Sequence, residues 1–107
     1  MKRIYLAGPM SGLPDSNYPA FHREAARLRA LGYHVENPAE NPEPPGGKWE
    51  DYMRMSIAQL LTCDTLALLN GWENSPGALT EHRLAFTLRM EIVRAAKLCR
   101  PCEEAVA

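Results

Sequence analysis

A hydroxyl, a glycine and a carboxylate stand close together in Ser75-Pro76-Gly77-Ala78-Leu79-Thr80-Glu81. Ser followed by Pro is a helix start: the serine caps free N–H groups, and proline sits where its missing N–H costs nothing. From Ser75 as cap, Glu81 falls near the end of the second turn. Ala78, Glu81, Ala85 and Leu88 follow the three-and-four spacing of one helical face. That face is otherwise apolar, so the carboxylate is expected to point inward. Neither Gly77 nor Ala85, four residues to either side, is a cation that would hold it in a surface ion pair. A carboxylate in a partly apolar cleft suits nucleophilic or acid/base chemistry. Spacing alone leaves a second reading equally open, an ordinary helix glutamate, half exposed and paired with something distant in sequence.

Such a helix needs a strand to start from. Thr65 to Leu69 is a short, nearly unbroken apolar run, the pattern of a strand buried on both faces. Asn70 to Asn74 is turn chemistry around Gly71. In a parallel α/β sheet that loop lies at the carboxyl end of the strand, where such folds bind ligands. Arg3 to Ala7 reads as the first strand, followed by the loop Gly8-Pro9-Met10-Ser11-Gly12, whose glycines permit close approach to a ligand or simply make a turn. No G-x-G-x-x-G fingerprint is present. Asp15-Ser16-Asn17 supplies a cap, and Phe21, Ala25, Leu28 and Leu31 a helical stripe ending at Gly32. Tyr33 to Glu36 is a second strand. Asn37 to Gly47, with four prolines, excludes helix and central strand, and is either a binding loop or a slack surface connection. Trp49 to Leu61 returns to helical spacing with Tyr52, Met53, Ile57, Leu60 and Leu61 as core positions. Ile92 to Ala96 is read as an edge strand.

This order implies a small doubly wound, Rossmann-like α/β fold: a mostly parallel sheet of about four strands with helices on both faces. One domain over residues 1–96 and a tail over 97–107 are expected. Because so short a chain has a marginal core, a homodimer is expected as well. Cys99-Arg100-Pro101-Cys102 has redox or zinc spacing but no second ligand pair, and reads as incidental.

Among 107 residues, 12 basic and 13 acidic side chains give a net charge of −1. Without a basic excess, nucleic acid is not an expected partner. No apolar run approaches the ~20 residues of a membrane span, so no membrane partner is expected. The basic-then-apolar start ends at Gly8-Pro9, too early for a signal peptide, and a cytoplasmic location follows. Three cysteines cannot all pair with one another, which disfavours a secreted disulfide scaffold.

Taken together, Ile4-Tyr5-Leu6-Ala7-Gly8-Pro9, Asp64 at the third strand and Ser75-x-Gly77-x-x-x-Glu81 resemble the nucleoside 2-deoxyribosyltransferase-like superfamily. Gly8-Pro9-Met10-Ser11-Gly12, Asn17-Tyr18-Pro19-Ala20-Phe21 and Gly71-Trp72-Glu73-Asn74-Ser75 are similar to a short, uncharacterised branch of it. The likeness runs to about Ile92. It implies cleavage of the N-glycosidic bond of a (deoxy)nucleoside or nucleoside 5′-monophosphate, by water or by transfer to a second base. The glutamate matching Glu81 would attack C1′ and form a covalent glycosyl-enzyme, as suits an oxocarbenium-like centre. A serine at the position of Ser75 holds a 5′-phosphate in the nucleotide-hydrolysing relatives, so Ser75 points to a monophosphate, though it is also a plain N-cap. Tyr5 and Gly8 would lie by the sugar, and Pro9 and Gly77 would also be substrate-binding. Met10 or Trp72 would pack on the base, with a simple loop anchor the equal alternative for Trp72. Asp64 would cap or brace its neighbouring loop, a structural rather than a catalytic role. No cofactor or metal enters this reading.

One position departs from the pattern. Relatives carry a catalytic aspartate eight residues before the position of Asp64, and here that residue is Ser56. A hydroxyl can hydrogen-bond but is no general acid near neutral pH. Asp51, about a turn and a half earlier on the same helix, is a substitute. The alternative is therefore a non-catalytic module that senses or sequesters a nucleotide-derived ligand. A third reading is a structural dimer with a vestigial cleft.

Overall fold

Strand β1 (Arg3–Ala7) is central because it is apolar on both sides. Ile4 and Leu6 turn to one face of the sheet, Tyr5 and Ala7 to the other, and all four are buried. In the computed structural model, which describes residues 2–99, β1 is followed by α1 (Tyr18–Ala30), β2 (His34–Glu36), α2 (Trp49–Leu60), β3 (Thr65–Leu68), α3 (Pro76–Thr87) and β4 (Glu91–Arg94). The four strands form one all-parallel sheet in the order β2-β1-β3-β4. This is the expected small Rossmann-like α/β fold.

Two cores lie on the two faces. On one, Phe21, Ala25 and Leu28 of α1 pack on Ile4, Leu6, Val35 and Ala67. On the other, Leu60 of α2 and Ala78 and Ala85 of α3 pack on Tyr5, Ala7, Leu66 and Leu68. The chain runs to β2 on one side of β1, then returns over the other face to β3, as parallel crossovers require. The order therefore reverses between β1 and β3.

Several boundaries differ from the sequence reading. The last strand is Glu91–Arg94 rather than Ile92 to Ala96, because Ala95–Lys97 turns the chain back. Leu98, placed by the sequence in a tail, is buried in the α1-side core. Residues 100–107, including Cys102 of the C-x-x-C spacing, lie outside the described residues. Leu88 is 52% exposed because α3 has ended at Thr87. On α2 only Leu60 is buried; Tyr52 and Leu61 are exposed, and Met53 and Ile57 half-buried. The helix does not lie flat on the sheet, and its first two turns stand over a hollow.

Asp15-Ser16-Asn17 does not make an ordinary cap. All three are left-handed, with φ of 51°, 54° and 60°, a run that L-residues adopt at a cost of about 1–2 kcal/mol each. The Asn17 amide donates instead to the Pro9 carbonyl at 2.9 Å, tying this turn to the loop after β1. The proline-rich segment contains one short helical turn, Pro38–Glu40, where the sequence excluded helix; Asn37 caps it by accepting the Ala39 N–H at 3.0 Å. A proline at the first position is compatible with such a turn. Among the described residues no helix is long and apolar enough to cross a membrane.

Candidate functional site

In open α/β sheets the crevice forms where strand order reverses, at the carboxyl ends of the strands. Here β1 and β3 diverge into different loops, and a cavity of about 290 Å³ opens there beneath the start of α2. Glu81 lies at its inner end. Ser75, with backbone φ −111° and ψ 116°, caps α3 and accepts the Ala78 N–H at 3.2 Å, setting the helix phase. Two turns on, that phase turns Glu81 to the sheet, and its side chain is only 6% exposed.

Tyr5 meets it there. Alternation along β1 points Tyr5 to the α3 face, and its phenol donates to Glu81 Oε2 at 2.5 Å. Burial raises the Glu81 pKa from 4.5 to about 7, with the Tyr5 hydrogen bond opposing the rise. Tyr5 is pushed well above its ordinary 10 by burial, then by the Glu81 charge and hydrogen bond, with a hydrogen bond from Ser56 acting the other way. Glu81 is therefore divided between carboxylate and acid near neutral pH, the range in which one group both attacks and donates protons.

The structure brings Tyr5, Gly8, Met10, Ser56, Ser75, Gly77 and Glu81 around this one cavity. Gly8 and Gly77 are small for reasons of packing. A Cβ on Gly8 would stand 2.8 Å from the Leu69 Cβ, where the loops after β1 and β3 converge. A Cβ on Gly77 would stand 3.2 Å from the Met53 sulfur, which leans over the helix start.

Three residues expected at the ligand are elsewhere, and so is Asp64, for which a bracing role is expected. Asp51 is not on the cavity wall: its carboxylate accepts the Lys48 N–H at 3.2 Å and pairs with Arg54 at 3.4 Å, closing the first turn of α2. Helical phase turns it away from the hollow that Tyr52 and Met53 face. Trp72 stacks on His82, ring centroids 4.6 Å apart at 19°, and lines a separate hollow of about 60 Å³. Pro9 is turned from the cavity toward Gly71, its Cγ 3.3 Å from where a Gly71 Cβ would be. Asp64 sits at the amino end of β3, opposite the ligand end. There it accepts the Arg3 N–H at 3.2 Å and the Thr65 hydroxyl at 2.6 Å, fixing β1 against β3.

Sequence reasoning missed the aromatic side of the site. Tyr18, Trp49 and Tyr52 line the cavity together with Met53. Trp49 and Tyr52, three residues apart at a helix start, carry a signal, but the helical spacing assigns Tyr52 to the core and Trp49 no role beyond opening the helix. Pro38 and Asn41 also line it, so the first part of the proline-rich segment is wall rather than slack connection. Asn41 is held there by donating to Gln59 of α2 at 2.8 Å. Among the described residues no group of three or more His, Cys, Asp or Glu could hold a metal ion.

A family model described as a domain of unknown function, DUF4406, matches residues 2–94. The chain belongs to the DUF4406 family. No curated protein matches the chain at a significant level. The DUF4406 match spans all four strands and the whole of the cavity wall described above.

Proposed function

We propose that this DUF4406 protein cleaves the N-glycosidic bond of a (deoxy)nucleoside or nucleoside 5′-monophosphate through a covalent glycosyl-Glu81 intermediate. The observation that carries the reading is a buried carboxylate, oriented by Tyr5, opening on a cavity of about 290 Å³, roomy enough for a sugar ring. The resemblance borne by the first strand and by Ser75-x-Gly77-x-x-x-Glu81 supports it.

In the proposed reaction the ionised Glu81 attacks C1′. The C1′–N bond breaks with its electron pair going to the base nitrogen, which takes up a proton from solvent water. Water, or an N–H nitrogen of a second base, then attacks C1′ and gives up its proton to solvent, as the C1′–O bond to Glu81 breaks and its electron pair returns to the carboxylate. The Tyr5 phenol, neutral throughout, holds the attacking oxygen in line. Only the ionised fraction of Glu81 is nucleophilic, so the rate rises with pH through about 7.

The test is incubation with 2′-deoxynucleosides and their 5′-monophosphates, reading free base by chromatography. Base released by the wild type and lost in Glu81→Ala supports catalysis. The second reading, a binding module without chemistry, is favoured by Ser56 at the position of the aspartate. It predicts binding with no base released by either protein. A homodimer remains part of the proposal: Leu79 and Phe86 stand exposed two turns apart on α3, the latter at 73%, and association would cover them.

A further inference from the structure

Resting on the nucleoside-cleavage reading above, we infer that the ligand of this cavity is the uncharged nucleoside with a free 5′-hydroxyl, not the 5′-monophosphate. Ser75 by itself suggested the opposite. Its surroundings reverse that preference.

The helix start that would receive a phosphate has few donors left. Pro76 has no N–H; the Ala78 N–H is taken by Ser75 Oγ at 3.2 Å, and the Leu79 N–H by the Ser75 carbonyl at 2.9 Å. Of the first turn, the Gly77 N–H alone has no such bond, and Met53 sulfur lies over that residue. An anion site at a helix terminus works through several converging N–H groups.

Charge points the same way. Among the described residues lining the cavity none is Lys, Arg or His, while one, Glu81, is acidic. The exposed Arg54 on α2 is turned to Asp51 at 3.4 Å. A phosphomonoester carries about −1.5 to −2 near pH 7. It would enter without a counterion, close to the Glu81 carboxyl group, in surroundings dry enough to hold Glu81 largely protonated below neutrality. An unpaired charge so placed is strongly disfavoured.

What the walls do offer suits a neutral polar ligand with a flat apolar part. The hydroxyls of Ser11 and Ser16 and the Ser56 hydroxyl can exchange hydrogen bonds with a sugar. Tyr18, Trp49 and Tyr52 give aromatic surface for a base.

The test compares each 2′-deoxynucleoside with its own 5′-monophosphate in two assays. One is turnover by the wild-type protein; the other is calorimetric binding to Glu81→Gln, which cannot complete the reaction. The expected result is a preference for the nucleoside of roughly tenfold or more in both. Inorganic phosphate should leave the melting temperature unmoved. Ser11→Lys, which adds the missing cation to the wall, should strengthen monophosphate binding by roughly tenfold. Equal or better use of the monophosphate, with free base still formed, overturns this inference and leaves the cleavage reading standing. No base released and no binding of either compound overturns both.

Discussion

Replacing Glu81 with glutamine should make the protein more stable, by an amount that depends on pH. Burial raises the Glu81 pKa from 4.5 to about 7. The folded state therefore holds a proton that the unfolded state releases first. The native-state advantage is complete below the unfolded value, declines as pH rises through the window between about 4.5 and 7, and is absent above it. At about 1.4 kcal/mol per unit of pKa, the ionised form of Glu81 costs the folded state up to about 3 kcal/mol at pH 8. Glutamine keeps the shape and can still accept from Tyr5, yet has no charge to bury. Glu81→Gln should match the wild type within about 1 kcal/mol at pH 4.5 and exceed it by about 1–3 kcal/mol at pH 8. For a domain of this size each kcal/mol is about 4–8 °C in melting temperature. Urea unfolding of both proteins at half-unit steps from pH 4.5 to 8.5 measures the difference directly. Glu36 and Glu40 have lowered pKa values, so their contributions are lost on the acid side and cancel in the comparison. A constant gap between the two proteins across the whole range would refute the reasoning, because it would mean that Glu81 titrates as an exposed glutamate does. The gain in stability should come with loss of base release, the trade expected where a charged group is kept for chemistry.

Tyr5→Phe removes the hydrogen bond that favours ionised Glu81, so the midpoint of the pH-dependent stability should move upward, read from the same urea series. Gly8→Ala forces a Cβ to within 2.8 Å of the Leu69 Cβ. It should cost about 1–3 kcal/mol, read as a lowered urea midpoint. Asp51→Ala should lower stability by about 1 kcal/mol through loss of the α2 cap while base release stays unchanged, which separates a helix cap from a catalytic acid.

Periodicity and turn chemistry are local properties, and they carried most of the architecture. The apolar run Ile4–Ala7, the run Thr65–Leu69 and the Ser75-Pro76 helix start each state their element in a few residues, because backbone sterics and hydrogen bonding act over that range. Glu81 was legible for the same reason: a polar residue on an apolar helical face is visible from spacing alone. What lay beyond the sequence was which surface a side chain faces when the surface is made by distant segments. Trp49 and Tyr52 have the spacing of core residues, yet they line a cavity, because α2 stands off the sheet over the ends of β1 and β3. Asp51 has the chemistry of a catalytic acid, and helical phase gave it to the backbone of Lys48 instead. Trp72, one loop from Ser75, faces His82 and a different hollow. The pairing of Tyr5 with Glu81 joins residues 76 apart in sequence, a contact that no local pattern encodes. It exists because parallel crossovers bring the middle of β1 beneath the second turn of α3. The raised Glu81 pKa follows from that enclosure, since it reflects the low polarity around the carboxylate and not the glutamate itself.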